Sequence, residues 1–401
     1  MSATAAPARK LRLGIAGLGR AFTIMLPTFA QDERIALRAA ADPRAEAREK
    51  FAADFKASAY ASVEELCADA TVEAIYVATP HQFHAAHVCM AAAAGKHVLV
   101  EKPLAVTLAE CRNMIDAVEA AGVHLVVGHS HSFDAPYRRA RDFIASGEFG
   151  KLGMITAANF TDFIYRPRRP EELITAQGGG VIFSQGAHQI DIVRLLGGGQ
   201  VHSVRAFTGS WDESRAAEGA YAALLAFEDG AFASAVYSGY GHFDSDEFCG
   251  WIGEMGLPKD RERHGAARRA LADLTATQEA ALKAARNYGG TEYSVAVPDA
   301  PRQHQHFGVL LASCAHADLR PTPEGVMIYG DFERRLEKVA VASVPRAEVI
   351  DEFYDAIVAG RAPLHTGRWA MATLEVCLAI LRSAKERREI TLEHQIGLVG
   401  L

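Results

Sequence analysis

A lysine stands where an apolar run ends: Lys96-His97-Val98-Leu99-Val100 leads into Glu101-Lys102-Pro103. An ammonium drawn to the rim of a core is costly to desolvate unless it has a task. Partly desolvated, it gives up its proton more readily and can take one from a hydroxyl. The plain alternative is a surface lysine ahead of a proline turn. His188 and Asp191 lie three apart, on one face of a helix that starts near Gln185. Imidazole titrates near neutrality and is the usual proton acceptor there; Asp191 would orient it or hold a substrate hydroxyl. Taken alone, His188 reads better as a packed helix histidine. Lys102, His188 and Asp191 form the expected catalytic group. Arg166, Arg168 and Arg169 fall within four positions and would make a fork for carboxylates; a solvated loop explains them equally well. His242 is a further residue expected near the substrate.

A second set of residues points to a nucleotide. Gly17-Leu18-Gly19 follows one strand and opens a helix. Glycines there allow a tight turn and let backbone N–H groups approach a pyrophosphate. The full fingerprint puts Gly or Ala three residues past Gly19; this chain has Phe22 there and Ala21 one earlier. Asp42 closes the second strand, where a carboxylate would hold the adenosine ribose hydroxyls and repel a 2′-phosphate. NAD is therefore the expected cofactor, with Arg44 keeping NADP open. Asp42-Pro43 also reads as a helix cap with a first-turn proline. Arg20, Ala21, Thr79, Pro80, His84, Glu101 and Lys102 are expected along the same cleft. His81, His84 and His87 are spaced by three, with no carboxylate or cysteine beside them, so no metal is expected.

These groups need a frame. Short apolar runs at Leu11–Ala16, Ile35–Ala41, Ala74–Ala78, His97–Val100 and His124–Gly128 alternate with helical stretches Pro43–Phe55, Phe83–Ala94 and Leu108–Ala121. That alternation predicts a doubly wound parallel α/β sheet over 1–132. Beyond a helix at Asp134–Ser146, strand-like runs follow without helices between them: Gly153–Phe160, Val201–Phe207, Ala220–Phe227 and Phe232–Tyr237. They predict an α+β domain over 133–401 with a large, mostly antiparallel sheet. A polar helical segment, Arg261–Arg286, sits in an expected insertion at about 255–306 that reads as a flap or oligomer contact. Helices Arg346–Ala359 and Arg368–Arg387 close the chain. The second of these turns Trp369, Thr373, Val376 and Ile380 to one side.

With 401 residues, 49% of them apolar, the chain is long enough for two cores. Its 42 basic and 49 acidic residues leave a formal charge of −7, which argues against nucleic acid or anionic membrane as a partner. No apolar stretch approaches the roughly 20 residues a membrane helix needs, and the Ala-rich start lacks a signal core. A cytoplasmic protein is expected. The six cysteines form no C-x-x-C pair and read as small buried hydrophobes.

Three motifs in order resemble the Gfo/Idh/MocA oxidoreductases. They are the context Ala94–Pro103 ending in Glu101-Lys102-Pro103, the run Gly178-Gly179-Gly180, and Ser184-Gln185-Gly186-Ala187-His188-Gln189-Ile190-Asp191. The resemblance implies an NAD(P)-dependent dehydrogenase with Lys102 and His188 as the acid/base pair, in a homodimer or homotetramer. The family's acidic residue four before the histidine is Ser184 here, which implies an anionic substrate rather than a simple polyol. The segments around Tyr240–Glu247 and Arg361–His365 are similar to the branch that oxidises phthalate cis-4,5-dihydrodiol. That resemblance implies that Arg166, Arg168 and Arg169 meet ring carboxylates, which Ser184 would not repel. Two other readings remain at this level: a sugar or inositol dehydrogenase, and an NAD-binding sensor without turnover, which would have no need of a proton-transfer pair.

Overall fold

The computed structural model describes residues 9–128, 130–294 and 301–398. The tail 1–8 and part of the expected insertion, 295–300, lie outside them. Six parallel strands form the first sheet: β1 (Leu11–Ala16), β2 (Ile35–Ala41), β3 (Ser58–Tyr60), β4 (Ala74–Val77), β5 (His97–Val100) and β6 (Leu125–Val127), in the order β3-β2-β1-β4-β5-β6. Helices α1 (Arg20–Gln31), α2 (Ala45–Phe55), α3 (Val63–Ala68), α4 (His84–Ala93) and α5 (Leu108–Ala121) cross over between them. Strand order reverses between β1 and β4, which opens a crevice at their carboxyl ends. Register aligns those ends: Ala16 pairs with Ala41 and Val77, Val77 with Val100, and Val100 with Val127. Gly17, Asp42, Ala78, Glu101 and Gly128 therefore leave one edge of the sheet together. The strand β3 and helix α3 carry too few residues to show a period, and the sequence pattern did not reveal them.

After α6 (Ala135–Ser146) comes a nine-stranded sheet. Its strands are β7 (Leu152–Phe160), β8 (Val201–Gly209), β9 (Ala220–Phe227), β10 (Phe232–Ser238), β11 (Val309–Cys314), β12 (Ala317–Thr322), β13 (Gly325–Gly330), β14 (Arg334–Lys338) and β15 (Ile390–Thr391). All neighbours are antiparallel except β7 and β10. The strands after residue 308 were not foreseen, since Asp, Arg and Pro interrupt a run such as Ala317–Thr322. Helix α7 (Ala187–Leu196) is buried along its whole length. The outer side of the sheet exposes Phe207, Leu224 and Phe232 at 63%, 60% and 51%.

One expectation needs correction. The segment Arg261–Arg286 is not one helix. It breaks into α8 (Ala266–Leu271) and α9 (Ala276–Ala285) because Thr275 caps α9 through a reciprocal pair with Gln278. Later elements reach back across residue 132. Helix α10 (Ala347–Tyr354) returns to the first sheet, where Val349, Ile350 and Phe353 share a core with Leu11, Leu13 and Ile15. The 20-residue helix α11 (Gly367–Glu386) packs on α5, α7 and β8, with Trp369, Thr373, Val376 and Ile380 buried as the spacing required. Among the described residues no helix is long and apolar enough to cross a membrane.

Candidate active site

The amino-terminal lip of the crevice is built from backbone. Gly17 has φ +95°, and a Cβ on it would sit 2.9 Å from Ala78 O, so a side chain is excluded twice over. Gly19 caps α1, and space is open where its Cβ would be. The first-turn N–H groups of α1 thus face an uncovered cradle, a ready anion site. Asp42 is 5% exposed and braces that loop: Oδ2 accepts from Leu18 N at 2.8 Å, and Oδ1 from Arg44 N and Nε at 2.9 and 3.0 Å. Arg44, not Asp42, is the N-cap residue of α2. Its guanidinium lies over the carboxylate rather than open to a 2′-phosphate, reaching Asp42 Oδ2 at 3.1 Å, Leu18 O at 2.9 Å and Tyr288 O at 3.2 Å. Arg20 is accessible within a recess. Burial, then the charges of Arg166 and Arg286, lower its affinity for a proton. Glycine turn, helix donors and an acidic residue at the end of β2 are the donor set that a dinucleotide's phosphates and ribose require.

His84 was expected to touch the cofactor, but it does not line the cleft. It is fully buried, with Nδ1 3.0 Å from Pro103 O and Nε2 2.9 Å from Thr79 O. It ties the turn after β4 to the turn after β5. Thr79 Oγ1 pairs with His87 Nδ1 at 2.9 Å, and half-buried Pro80 opens the next turn. Ala21 packs against the core beneath α1. Glu101 accepts from Tyr76 OH under the turn.

Lys102 rises from the deep wall of the cleft. Its Nζ donates to Ser184 O at 2.7 Å. One π turn, Ile182–Gly186, precedes α7 and sends Ala187 N back to Ile182 O, the kind of widened turn often found at functional sites. Burial lowers the Lys102 ammonium from its ordinary value, Glu101 and Glu254 oppose this, and Arg168 adds to it. His188 is 7% exposed. Its ring lies 4.9 Å from that of His131, edge to face, and 5.3 Å from Phe307. Asp191, expected to serve His188 or a substrate hydroxyl, instead accepts from Ser132 Oγ, from Trp369 Nε1 at 2.7 Å and from Thr373 Oγ1 at 2.7 Å. Those donors lock α7 against α11. A small, mostly apolar cavity runs between Asp191 and Lys102.

The sequence reading did not single out His131 or Glu254. His131 Nδ1 lies 2.6 Å from Asp134 Oδ2, and Nε2 lies 3.4 Å from Glu254 Oε1. Burial disfavours its charge, but Asp134 and then Glu254 outweigh that and raise it to about 9. Glu254, which burial would raise, is held at about 2 by His131 and Arg166. The His131–Asp134 spacing repeats that of His188–Asp191 and was a usable signal; Glu254 lies in a stretch without any pattern.

The three arginines part company. Arg166 Nη1 is 3.9 Å from Glu254 Oε2. Arg168 stacks on Phe163, 3.7 Å to the ring centre, and its Nη2 donates to Phe163 O at 2.8 Å. Its Nε is buried, and no described residue accepts from it. Tyr237, between them, feels Arg166, Arg168 and Glu254. Arg169 turns away to Glu171 and Glu172, at 3.2 and 3.6 Å. His242 is exposed on the turn after β10; Phe243 beside it packs on Phe160 and Phe248. Ser184 meets Lys102 through its carbonyl, not its hydroxyl. Arg169 is thus paired within its own loop, and His242 stands on an exposed turn.

Comparison with known proteins identifies the family. The model of the Gfo/Idh/MocA oxidoreductase family, NAD-binding Rossmann fold, matches residues 11–129, and that of the Gfo/Idh/MocA C-terminal domain matches 137–256. The chain is 47% identical over 377 residues to a 1-carboxy-3-chloro-3,4-dihydroxycyclohexa-1,5-diene dehydrogenase of Comamonas testosteroni, covering 94% of this chain and 95% of that one. A trans-1,2-dihydrobenzene-1,2-diol dehydrogenase of Macaca fascicularis is 33% identical over 47% of this chain and 57% of its own length. The crystal structure of a putative dehydrogenase from Bordetella bronchiseptica superposes with a TM-score of 0.90 at 43% identity, covering 96% and 100% of the two chains.

Proposed function

Since the chain belongs to the Gfo/Idh/MocA oxidoreductases and carries their NAD-binding domain, we propose that it oxidises a ring-carboxylated cis-dihydrodiol, of which phthalate 4,5-cis-dihydrodiol is one. The observation that carries this reading is Arg168. A guanidinium with a buried, unanswered Nε stands near enough to Lys102 to lower it. A substrate carboxylate supplies the missing acceptor and offsets the desolvation of the cation. The relative from Comamonas, whose name describes a carboxylated dihydroxy-cyclohexadiene, supports the same class.

In this reading Arg166 and Arg168 hold the carboxylate while the diol reaches Lys102 and His188. Burial favours the neutral amine of Lys102, which takes the hydroxyl proton as the C–H electron pair leaves the same carbon. The hydride acceptor would be supplied by NAD+, held by the α1 N–H groups and Asp42. The ketone formed regains aromaticity by tautomerising, which draws the reaction forward. His131, held as an imidazolium by Asp134 and Glu254, packs edge to face on the His188 ring and orients it. Asp191 acts by fixing α7, and Ser184 by holding the Lys102 Nζ through its carbonyl. On the lip, the α1 donors meet the pyrophosphate and Asp42 the ribose.

The test is direct. With NAD+, absorbance at the NADH band should rise with a carboxylated cis-dihydrodiol and stay flat with myo-inositol, glucose or the uncharged benzene dihydrodiol. Turnover of the sugars alone sinks the proposal. Tight NAD+ binding without any turnover favours a sensor. The open sheet face with Phe207, Leu224 and Phe232 is the surface on which we place self-association into a homodimer or homotetramer. Light scattering should show the mass fall to that of one chain in Leu224→Arg; an unchanged mass removes that face.

A further inference from the structure

One segment of the second domain touches both ends of the crevice. Helix α9 and the turn after it, residues 276–293, form a strap. At one end Glu279 is buried with Arg215, whose Nη1 lies 2.8 and 3.0 Å from its two oxygens. Glu279 Oε1 also accepts from Arg168 N at 2.7 Å. One turn on, Lys283 pairs with Glu172, whose Oε2 accepts from Arg169 N at 2.7 Å. The loop that presents Arg166 and Arg168 is thus hung from α9.

At its other end the strap is plugged into the nucleotide lip. Tyr288 is fully buried, its ring edge-on to Phe22 at 5.2 Å and beneath Lys50 at 5.5 Å. Its OH donates to Asp54 Oδ2 at 2.5 Å. Gly289, at φ +79°, comes so close to α2 that a Cβ would stand 2.7 Å from Ala47 Cα. The Tyr288 carbonyl accepts from Arg44 Nη1, and Arg44 is the residue lying across Asp42.

Counting acceptors shows why this matters. The Asp42 carboxylate has about four acceptor directions. All four are taken, by Leu18 N and by Arg44 N, Nε and Nη2. A ribose diol seated on Asp42 must displace at least one Arg44 side-chain contact. The displaced guanidinium keeps two acceptors, Leu18 O and Tyr288 O, so its hold passes to the strap.

We propose that Tyr288, Glu279 and Lys283 are positioning residues through which cofactor binding at Asp42 orders the Arg166–Arg168 loop for an anionic substrate. The proposal rests on the functional reading above, in which Arg168 takes a carboxylate and Asp42 a ribose. Reciprocity then requires that the carboxylate ligand tighten NAD+ by the same factor.

The experiment is calorimetric titration of the full chain with NAD+ and with phthalate, each alone and in the presence of the other. In the native chain each ligand should tighten the other by roughly fivefold or more. In Tyr288→Ala, and separately in Lys283→Met, both should still bind alone while that factor falls to about one. The Lys283 variant removes only a half-buried pair, so it keeps the test valid if loss of Tyr288 unfolds the lip. A native chain without coupling, or coupling intact in folded Lys283→Met, overturns the proposal. Trypsin gives a second readout at the arginine-rich approach to α9, Arg261–Arg269: NAD+ alone should slow cleavage there in the native chain and not in Lys283→Met. If phthalate does not bind at all, the carboxylate reading falls, and the strap still stands or falls on the trypsin result.

Discussion

The two walls of the crevice are made by different kinds of contact. The lip that faces the nucleotide is backbone and near-neighbour chemistry. Gly17, Gly19 and the start of α1 are contiguous, and Asp42 reaches Leu18 across only 24 residues. The deep wall is assembled from side chains far apart in the chain: Lys102 meets Ser184 across 82 residues, and His131 meets Glu254 and Phe307 from separate elements. Backbone donors bind any pyrophosphate alike, whereas a pocket of converging side chains selects one substrate. The lip therefore carries what is general to the chemistry and the wall what is particular to this chain.

Measured with each ligand alone, changes in the wall should alter turnover or substrate affinity and leave NAD+ binding unchanged, and changes in the lip should do the reverse. The largest effect belongs to Lys102→Met, which should lower kcat by roughly a thousandfold while the Kd for NAD+ in a fluorescence titration hardly moves. Near-normal kcat removes Lys102 from the proton step, and a large change in Kd breaks the division. Arg168→Ala should raise the KM for a carboxylated substrate about 30-fold, since a charged hydrogen bond is worth about 2 kcal/mol. An unchanged KM places the carboxylate elsewhere.

The wall should also show in stability. His131 rises from 6.5 to about 9 on folding. Its contribution is therefore whole below pH 6.5 and is lost as pH climbs through 9. It amounts to about 3 kcal/mol. Urea midpoints should fall across that window, and His131→Gln should flatten the slope; a slope unchanged in the variant means another group titrates. The smallest effect is expected at the lip. Asp42→Ala should weaken NAD+ about tenfold, one charged hydrogen-bond pair, with KM for substrate constant at saturating cofactor.

What was legible in the chain follows the same division. The lip, β1, β2 and β5, the buried side of α11 and the position of Lys102 could all be read, because each is set by a local period or by the residue that ends it. His84 was misplaced: its spacing does not say that both nitrogens will meet carbonyls of neighbouring turns. Arg169 and His242 were indistinguishable by type from Arg168 and His131, and only packing paired Arg169 with Glu171 and Glu172 and left His242 exposed. Glu254 was invisible because nothing near it in sequence repeats or alternates.

By itself the sequence determined that a parallel sheet would end in a glycine turn, an aspartate and a lysine along one edge, since hydrophobic period and strand ends are local properties. Only the tertiary structure decided which charged side chains share the pocket with that lysine. It likewise decided that α9 ties the arginine loop to the nucleotide lip. Such pairings depend on which elements pack together, and no spacing along the chain encodes the distance between them.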